Sequence, residues 1–186
     1  MPDKFCNIKA NRMFENKFEI CYNDNMIIRE FANNDIEQIK DLLVELQQYV
    51  IEIDKYNLNI ISDEYRDKYF EYMIDDLKTQ QGKIYIAEEN GAIIGFIAGY
   101  VQTYDERDKL DYTCPNKGIV AELIVSKNIR SKGTGQLLLN KLEEYFTSIE
   151  CKYIQIDVFA YNEIGKNFYY KNKYEDRMIT LFKKLD

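Results

Sequence analysis

Residues 118–159 constrain the fold more tightly than any other stretch. Gly118–Val125 is a short apolar run bounded by polar residues, as a buried strand would be. Leu138, Leu142, Tyr145 and Ile149 then recur at helical spacing, which predicts a helix over Gly135–Ile149. Lys152–Phe159 follows as an alternating strand. A strand, a helix and a second strand within so few residues imply a parallel strand pair joined by a crossover, so the chain must build a sheet with helices packed on it.

The upstream half adds antiparallel strands. Met26–Phe31 reads as a strand that ends at Asn33-Asn34-Asp35, residues suited to capping a helix. Ile36, Ile39, Leu43, Leu46, Val50 and Ile53 predict a helix from about residue 35 to residue 53. After a break at Asn57–Ser62, Ser62 is placed to cap a second helix with Tyr65, Tyr69, Met73 and Leu77 on one face, ending near Gln81-Gly82. Lys83–Glu88 and Ala92–Val101 flank Glu89-Asn90-Gly91, a hairpin signal because Asn and Gly tolerate positive φ. Asp105–Lys117 is a charged loop. Asn162–Asn172 predicts a short helix and Met178–Phe182 a last strand. The expected class is α/β, a central mixed sheet flanked by helices, over one domain at 26–186. Residues 1–25 stand apart as an extension that adds a short helix or strand, or remains a tail.

The 186 residues contain no histidine, which excludes histidine-based triads and bases and most zinc chemistry; no metal site is expected. Cys6, Cys21, Cys114 and Cys151 form no C-x-x-C pair, and no signal core or membrane-length apolar stretch occurs, so a cytoplasmic protein with reduced thiols and no membrane partner is expected. The 25 basic and 32 acidic residues are interspersed, without a basic run, which argues against nucleic acid and tolerates a cationic partner. A two-fold homodimer is expected only on the general frequency of such assemblies.

The chemistry concentrates in Glu122–Leu139. An apolar strand enters a turn, Arg130-Ser131-Lys132-Gly133-Thr134-Gly135, from which an amphipathic helix starts at once. Glycines admit close backbone approach, and a helix N-terminus offers free N–H groups with partial positive charge, which together suit a pyrophosphate. Arg130 and Lys132 add cationic donors. A P-loop sequence is absent, and Leu138 stands where a dinucleotide fingerprint needs its third glycine. Two glycines also serve a plain strand-to-helix turn.

These residues resemble the cofactor signature of the GNAT superfamily of N-acetyltransferases: Gln or Arg, two residues, Gly, one residue, then Gly or Ala. Asn162, Gly165, Phe168-Tyr169 and the aromatic Tyr174 follow a second family pattern, and the element order matches from Met26 onward. The resemblance implies that acetyl-CoA, as co-substrate, lies in a gap between the strands at 118–125 and 152–159. Its pyrophosphate would rest on residues 130–135, with Gln136 beside it. The backbone of Leu123, Ile124 and Val125 would pair with the pantetheine arm, and Asn162 would bond the arm or cap its own helix. Tyr169 matches the family's general acid. Glu122, within an apolar run, is the leading candidate for the base that deprotonates a primary amine, with Asp157 behind it. Acids between the first two helices and in the 105–111 loop form either an acceptor rim or ordinary solvated loops.

Three positions depart from the pattern. Gly165 stands where Ala is common, without steric consequence; Lys127 replaces a frequent proline; Lys173 replaces a glycine and is strained if its φ is positive. The implied activity is direct acetyl transfer to an amine: a small or polyamine-like amine, an aminoglycoside, or a protein amine. The other readings are a non-catalytic acyl-CoA sensor or scaffold, and an unrelated phosphate-binding α/β domain.

Overall fold

The computed structural model describes residues 20–23, 26–130 and 133–185, and for 20–23 the backbone alone. Six strands lie in sequence order across one sheet: β1 (Ile20–Asn23), β2 (Met26–Glu30), β3 (Lys83–Glu89), β4 (Ala92–Val101), β5 (Lys117–Val125) and β6 (Tyr153–Ile156). The first four junctions are antiparallel and β5–β6 is parallel. The helices are α1 (Ile36–Ile53), α2 (Tyr65–Thr79), α3 (Thr134–Ser148) and α4 (Glu163–Lys171). The mixed sheet flanked by helices is therefore present. Residues 20–23, from the stretch set apart as an extension, supply its first strand. None of the helices is long and apolar enough to cross a membrane, among the described residues.

The sheet is buried on both faces, which is why β3 and β4 read as continuous apolar runs. On one face Ile28, Ile97 and Val120 meet Leu138, Leu139, Leu142 and Phe146 of α3, with Tyr169 of α4 at the border. On the other face Ile86, Phe96 and Ile124 meet Ile39 and Leu43 of α1 and Phe70, Met73 and Leu77 of α2. The hairpin turn between β3 and β4 has positive φ at Asn90 (53°) and Gly91 (81°), as its sequence demands.

The pairing of β4 with β5 slips by one residue. Ala98 faces Glu122 and Gly99 faces Val120, so Ala121 is the extra residue of a bulge. Side chains alternate along a strand, so one inserted residue reverses which face each later residue meets. Val120 accordingly joins the α3 core, while Ile124, of the same parity, joins the α1–α2 core. The bulge turns Glu122 toward the helices α1 and α2.

Several local expectations are corrected. Asp35 does not cap α1. It reaches back to the amide of Ala32 at 2.7 Å and takes a two-pronged contact from Arg29, tying β2 to the start of α1. Ser62 offers α2 its carbonyl, to the amide of Tyr65, rather than a side-chain cap. On α2 the core position falls to Phe70, whereas Tyr69 remains 37% exposed. The expected strand at Lys152–Phe159 is only Tyr153–Ile156, and half-buried. No strand forms at Met178–Phe182: a β-prone run still needs an edge to pair with, and this one lies against loop side chains. The Tyr56 hydroxyl donates to the Phe182 carbonyl, the two rings sit 5.4 Å apart, and Met178, Ile179, Leu181 and Phe182 are exposed.

Lys173 has a φ of 66°, so the strain anticipated for a non-glycine residue after α4 is real. The closest approach of α3 to the sheet is at Gly118, where a Cβ would meet the Phe146 ring at 2.5–2.6 Å. Gly118→Ala is expected to lose about 1–3 kcal/mol, because a fully buried ring has no room to retreat; a urea melt that places the variant within about 0.5 kcal/mol of the parent, as for an ordinary surface substitution, would contradict this packing.

Candidate active site

Parallel pairing of β5 with β6 ends at Val120–Ile156, one residue before the bulge. From Ala121 to Val125 no strand among the described residues lies beside the outer edge of β5, which leaves its backbone groups along an open edge, the candidate groove. Ile124 directs its carbonyl toward Gly95 of β4. Alternation then assigns the backbone groups of Leu123 and Val125 to the open edge. The Ile124 side chain is buried under α1 and α2, and those of Leu123 and Val125 lie half-buried toward α3. The Val125 carbonyl is not free: it accepts from Arg130 Nε at 2.9 Å.

At the head of the groove, α3 begins without a cap. Gly133 precedes it with a φ of 85°, no side chain among the described residues caps the first turn, and no acid lies in that turn. The first helical amides therefore lack intrahelical partners and face an unneutralised dipole end. Gly133 is needed for its left-handed backbone, whereas a Cβ on Gly135 would make only ordinary contacts at 3.7–3.8 Å, in keeping with a pattern that admits Gly or Ala there. The Thr134 side chain is buried, its hydroxyl 3.7 Å from the Met26 sulfur, so only its backbone faces the turn. The Gln136 side chain is turned away, donating to Asn140 and Asn172. Ser131 and Lys132 lie outside the described residues.

Asn162 does cap α4: its Oδ1 accepts from the Gly165 amide at 2.8 Å and from the Tyr49 hydroxyl at 2.9 Å. Gly165 matters here in a way its sequence position does not suggest. A Cβ at 165 would fall 2.6 Å from Asn162 Nδ2, so alanine is not sterically harmless and would push the cap aside. The Tyr49 ring also lies under the Arg130 guanidinium, 5.3 Å away, which joins α1 to both ends of the groove.

Glu122 sits at the bulge, and its charge reaches Tyr169. Burial raises the Glu122 carboxyl to about 7, against a hydrogen bond from Tyr69 that lowers it. Burial first, and then the charge of Glu122, push the Tyr169 phenol far above its ordinary range, so it keeps its proton at every working pH. The same two causes raise Tyr65 and Tyr69 of α2. Tyr65 and Tyr69 stack with ring centroids 4.9 Å apart. Sequence reading placed both on a helix face without a role; the available signal was the pairing of tyrosines four apart opposite a strand acid. Asp157 is exposed just beyond β6 and, among the described residues, accepts only from Gln155 at 3.3 Å.

The acids expected around an acceptor mostly serve their own loops. Asp54 is 8% exposed and accepts from the amides of Tyr56, Leu58 and Asn59 and from the Asn59 side chain, which holds the α1–α2 loop. Asp105 accepts from the amides of Arg107 and Asp108, and Glu106 pairs with Lys109.

Compared with known proteins, residues 45–174 match the family described as Acetyltransferase (GNAT) family. The chain is 33% identical over 96 residues to an uncharacterized N-acetyltransferase of Methanocaldococcus jannaschii, a match covering 51% of this chain and 54% of that protein, so it spans about half the length of this relative. Among solved structures, a mutant of the BH1408 protein of Bacillus halodurans superposes with a TM-score of 0.73 at 15% identity, covering 85% of this chain and 98% of that one. AAC(6')-Iy, solved in complex with a bisubstrate analogue, CoA-S-monomethyl-acetylneamine, superposes with a TM-score of 0.62 at 16% identity, over 88% and 99%. At these identities the structures speak for the fold alone.

The raised carboxyl of Glu122 has a thermodynamic signature. The folded protein holds this proton up to about pH 7, whereas an unfolded glutamic acid releases it near 4.5. Between those values the folded state binds more protons, so Glu122 costs stability progressively as pH rises through the window, then levels off above it. Glu122→Gln should therefore be neutral at pH 4.5 and more stable by about 1–2 kcal/mol at pH 8, discounted for partial solvent access; thermal melts at the two pH values read the difference, and an equal effect at both would refute the raised pKa.

Proposed function

This chain belongs to the acetyltransferase (GNAT) family, and we propose that it is an acetyl-CoA-dependent N-acetyltransferase that moves acetyl directly to a primary amine. The observation that carries the reading is the buried Glu122 carboxyl at the open edge of β5, raised to about 7, with the buried Tyr169 phenol, which keeps its proton, within reach of its charge. Acid and base are thereby present together at pH 7 without histidine.

The residues fit acetyl-CoA. The uncapped start of α3 at Gly133–Gln136, with Arg130 nearby, suits the pyrophosphate. The free edge at Leu123 and the Val125 amide suit an amide-bearing arm lying along the strand. Asn162 uses only its Oδ1 within the protein, so its Nδ2, which has no acceptor among the described residues, is the donor toward the arm. When bound, acetyl-CoA supplies an activated acetyl group on sulfur.

Glu122 takes one proton from the acceptor ammonium, which leaves a neutral nitrogen able to attack the acetyl carbonyl. As the new C–N bond forms and the C–S bond breaks, Tyr169 gives its proton to the departing sulfur. The nitrogen's surplus proton then restores the phenol. The acceptor is a small or polyamine-like amine, an aminoglycoside, or a protein amine; an acidic chain favours cations in general without choosing among them.

Melting the protein with acetyl-CoA and with ATP tests the reading first. At 100 times its dissociation constant, acetyl-CoA should stabilise by about 2.7 kcal/mol, several degrees for a domain this size, and ATP should not. Tyr169→Phe should keep that shift while slowing release of CoA thiol with amines about 100-fold, the lower range of acid–base catalysis. Absence of the acetyl-CoA shift would overturn the cofactor assignment, and an unchanged rate in Tyr169→Phe would overturn the general acid.

A further inference from the structure

The base is not held by the strand alone. Four groups face Glu122: Tyr65 and Tyr69 from α2, Tyr169 from α4, and the apolar Ala98 opposite it on β4. No lysine or arginine pairs with it among the described residues. The Tyr69 hydroxyl donates to Glu122 Oε1, while Oε2 has no hydrogen-bond partner among the described residues. Tyr69 is itself fixed, since its ring stacks on Tyr65 at 4.9 Å with 21° between planes. Its phenol is raised by burial and by Glu122, so it acts as a donor throughout the working pH range.

A glutamate has three side-chain torsions, and a base must meet its proton at hydrogen-bond distance. A single anchored donor on one oxygen removes that freedom and leaves the other oxygen directed at the substrate. We propose that Tyr69 is a positioning residue for the reaction: it holds Glu122 through Oε1, favours the ionised form, and reserves Oε2 for the proton of the acceptor ammonium. The inference rests on Glu122 being the base. The Tyr69 hydroxyl is committed to Glu122, so in this role it acts through Glu122. Loss of the hydrogen bond leaves a half-buried carboxylate unsupported, which shifts its ionisation to higher pH.

The test is Tyr69→Phe in the full chain, with carbon-13 NMR titration of the Glu122 carboxyl, assigned by its loss in Glu122→Gln. The midpoint should rise by about one pH unit, the size of a hydrogen bond to a charged group. The acetyl-CoA melting shift should be unchanged. With tyramine and spermidine as probe amines, kcat/KM at pH 7 should fall about fivefold and recover by pH 9, since a midpoint moved from about 7 to one unit higher takes the ionised base at pH 7 from about one half to about one tenth. Tyr72→Phe, exposed on the same helix, should move nothing. Tyr69→Phe combined with Glu122→Gln should lose no more rate than Glu122→Gln alone, which keeps the test valid if the single variant is less stable. An unmoved midpoint in an active enzyme, or a rate loss equal at every pH, overturns the role of Tyr69. A moved midpoint in a protein that acetylates no amine supports the Tyr69–Glu122 link and overturns the acetyl-transfer reading instead.

Discussion

The site depends on one residue too many in β5. Were Ala121 paired in the ladder instead of bulged out, Glu122 would share the facing of Val120, toward α3 rather than α2. The bulge does two things at once. It reverses the facing of everything after it, so that Ile124 enters the α1–α2 core and Glu122 looks toward Tyr69. It also coincides with the end of the β5–β6 ladder at Val120–Ile156, after which the strand edge stands open. Carboxyl and groove are thus made by the same local defect, which is how they come to lie together.

Around that defect, burial does different work on chemically different groups. The charged form of a carboxylate is disfavoured, so Glu122 rises to about 7. A phenol is likewise kept neutral, but from a higher starting point, so Tyr169 stays a donor while Glu122 is poised to accept. A chain without histidine therefore still separates an acid from a base near neutrality.

Strands β2 to β5, the hairpin and the four described helices were legible in the sequence because each rests on periodicity or on turn chemistry: Asn90-Gly91, the α1 stripe from Ile36 to Ile53, the α3 stripe from Leu138. The glycine turn and the Asn162–Tyr169 segment carried the family resemblance. What stayed hidden was set by tertiary contact. Nothing in the order of residues 117–125 announces a bulge at Ala121, since apolar and polar positions read alike with or without it. Tyr69 looked like one of four residues on a helix face, and its partner lies 53 residues away. The final strand at Met178–Phe182 was expected on composition, yet strand formation requires a neighbour that the short β6 does not supply. Gly165 appeared interchangeable with alanine until the folded-back side chain of Asn162 filled the space above it.

Tyr49 of α1 ties the two ends of the groove to one another. Its hydroxyl is committed to Asn162 and its ring to Arg130, so a single side chain spans from the start of α4 to the turn before α3. Neither of those groups can reorient without disturbing the other, and both are tethered to the helix whose far end leads into the Asp54 loop. Tyr49 therefore acts as a shared hinge pin: a shift of the turn before α3 is passed through one aromatic ring to the cap of α4, so the two segments move together or not at all.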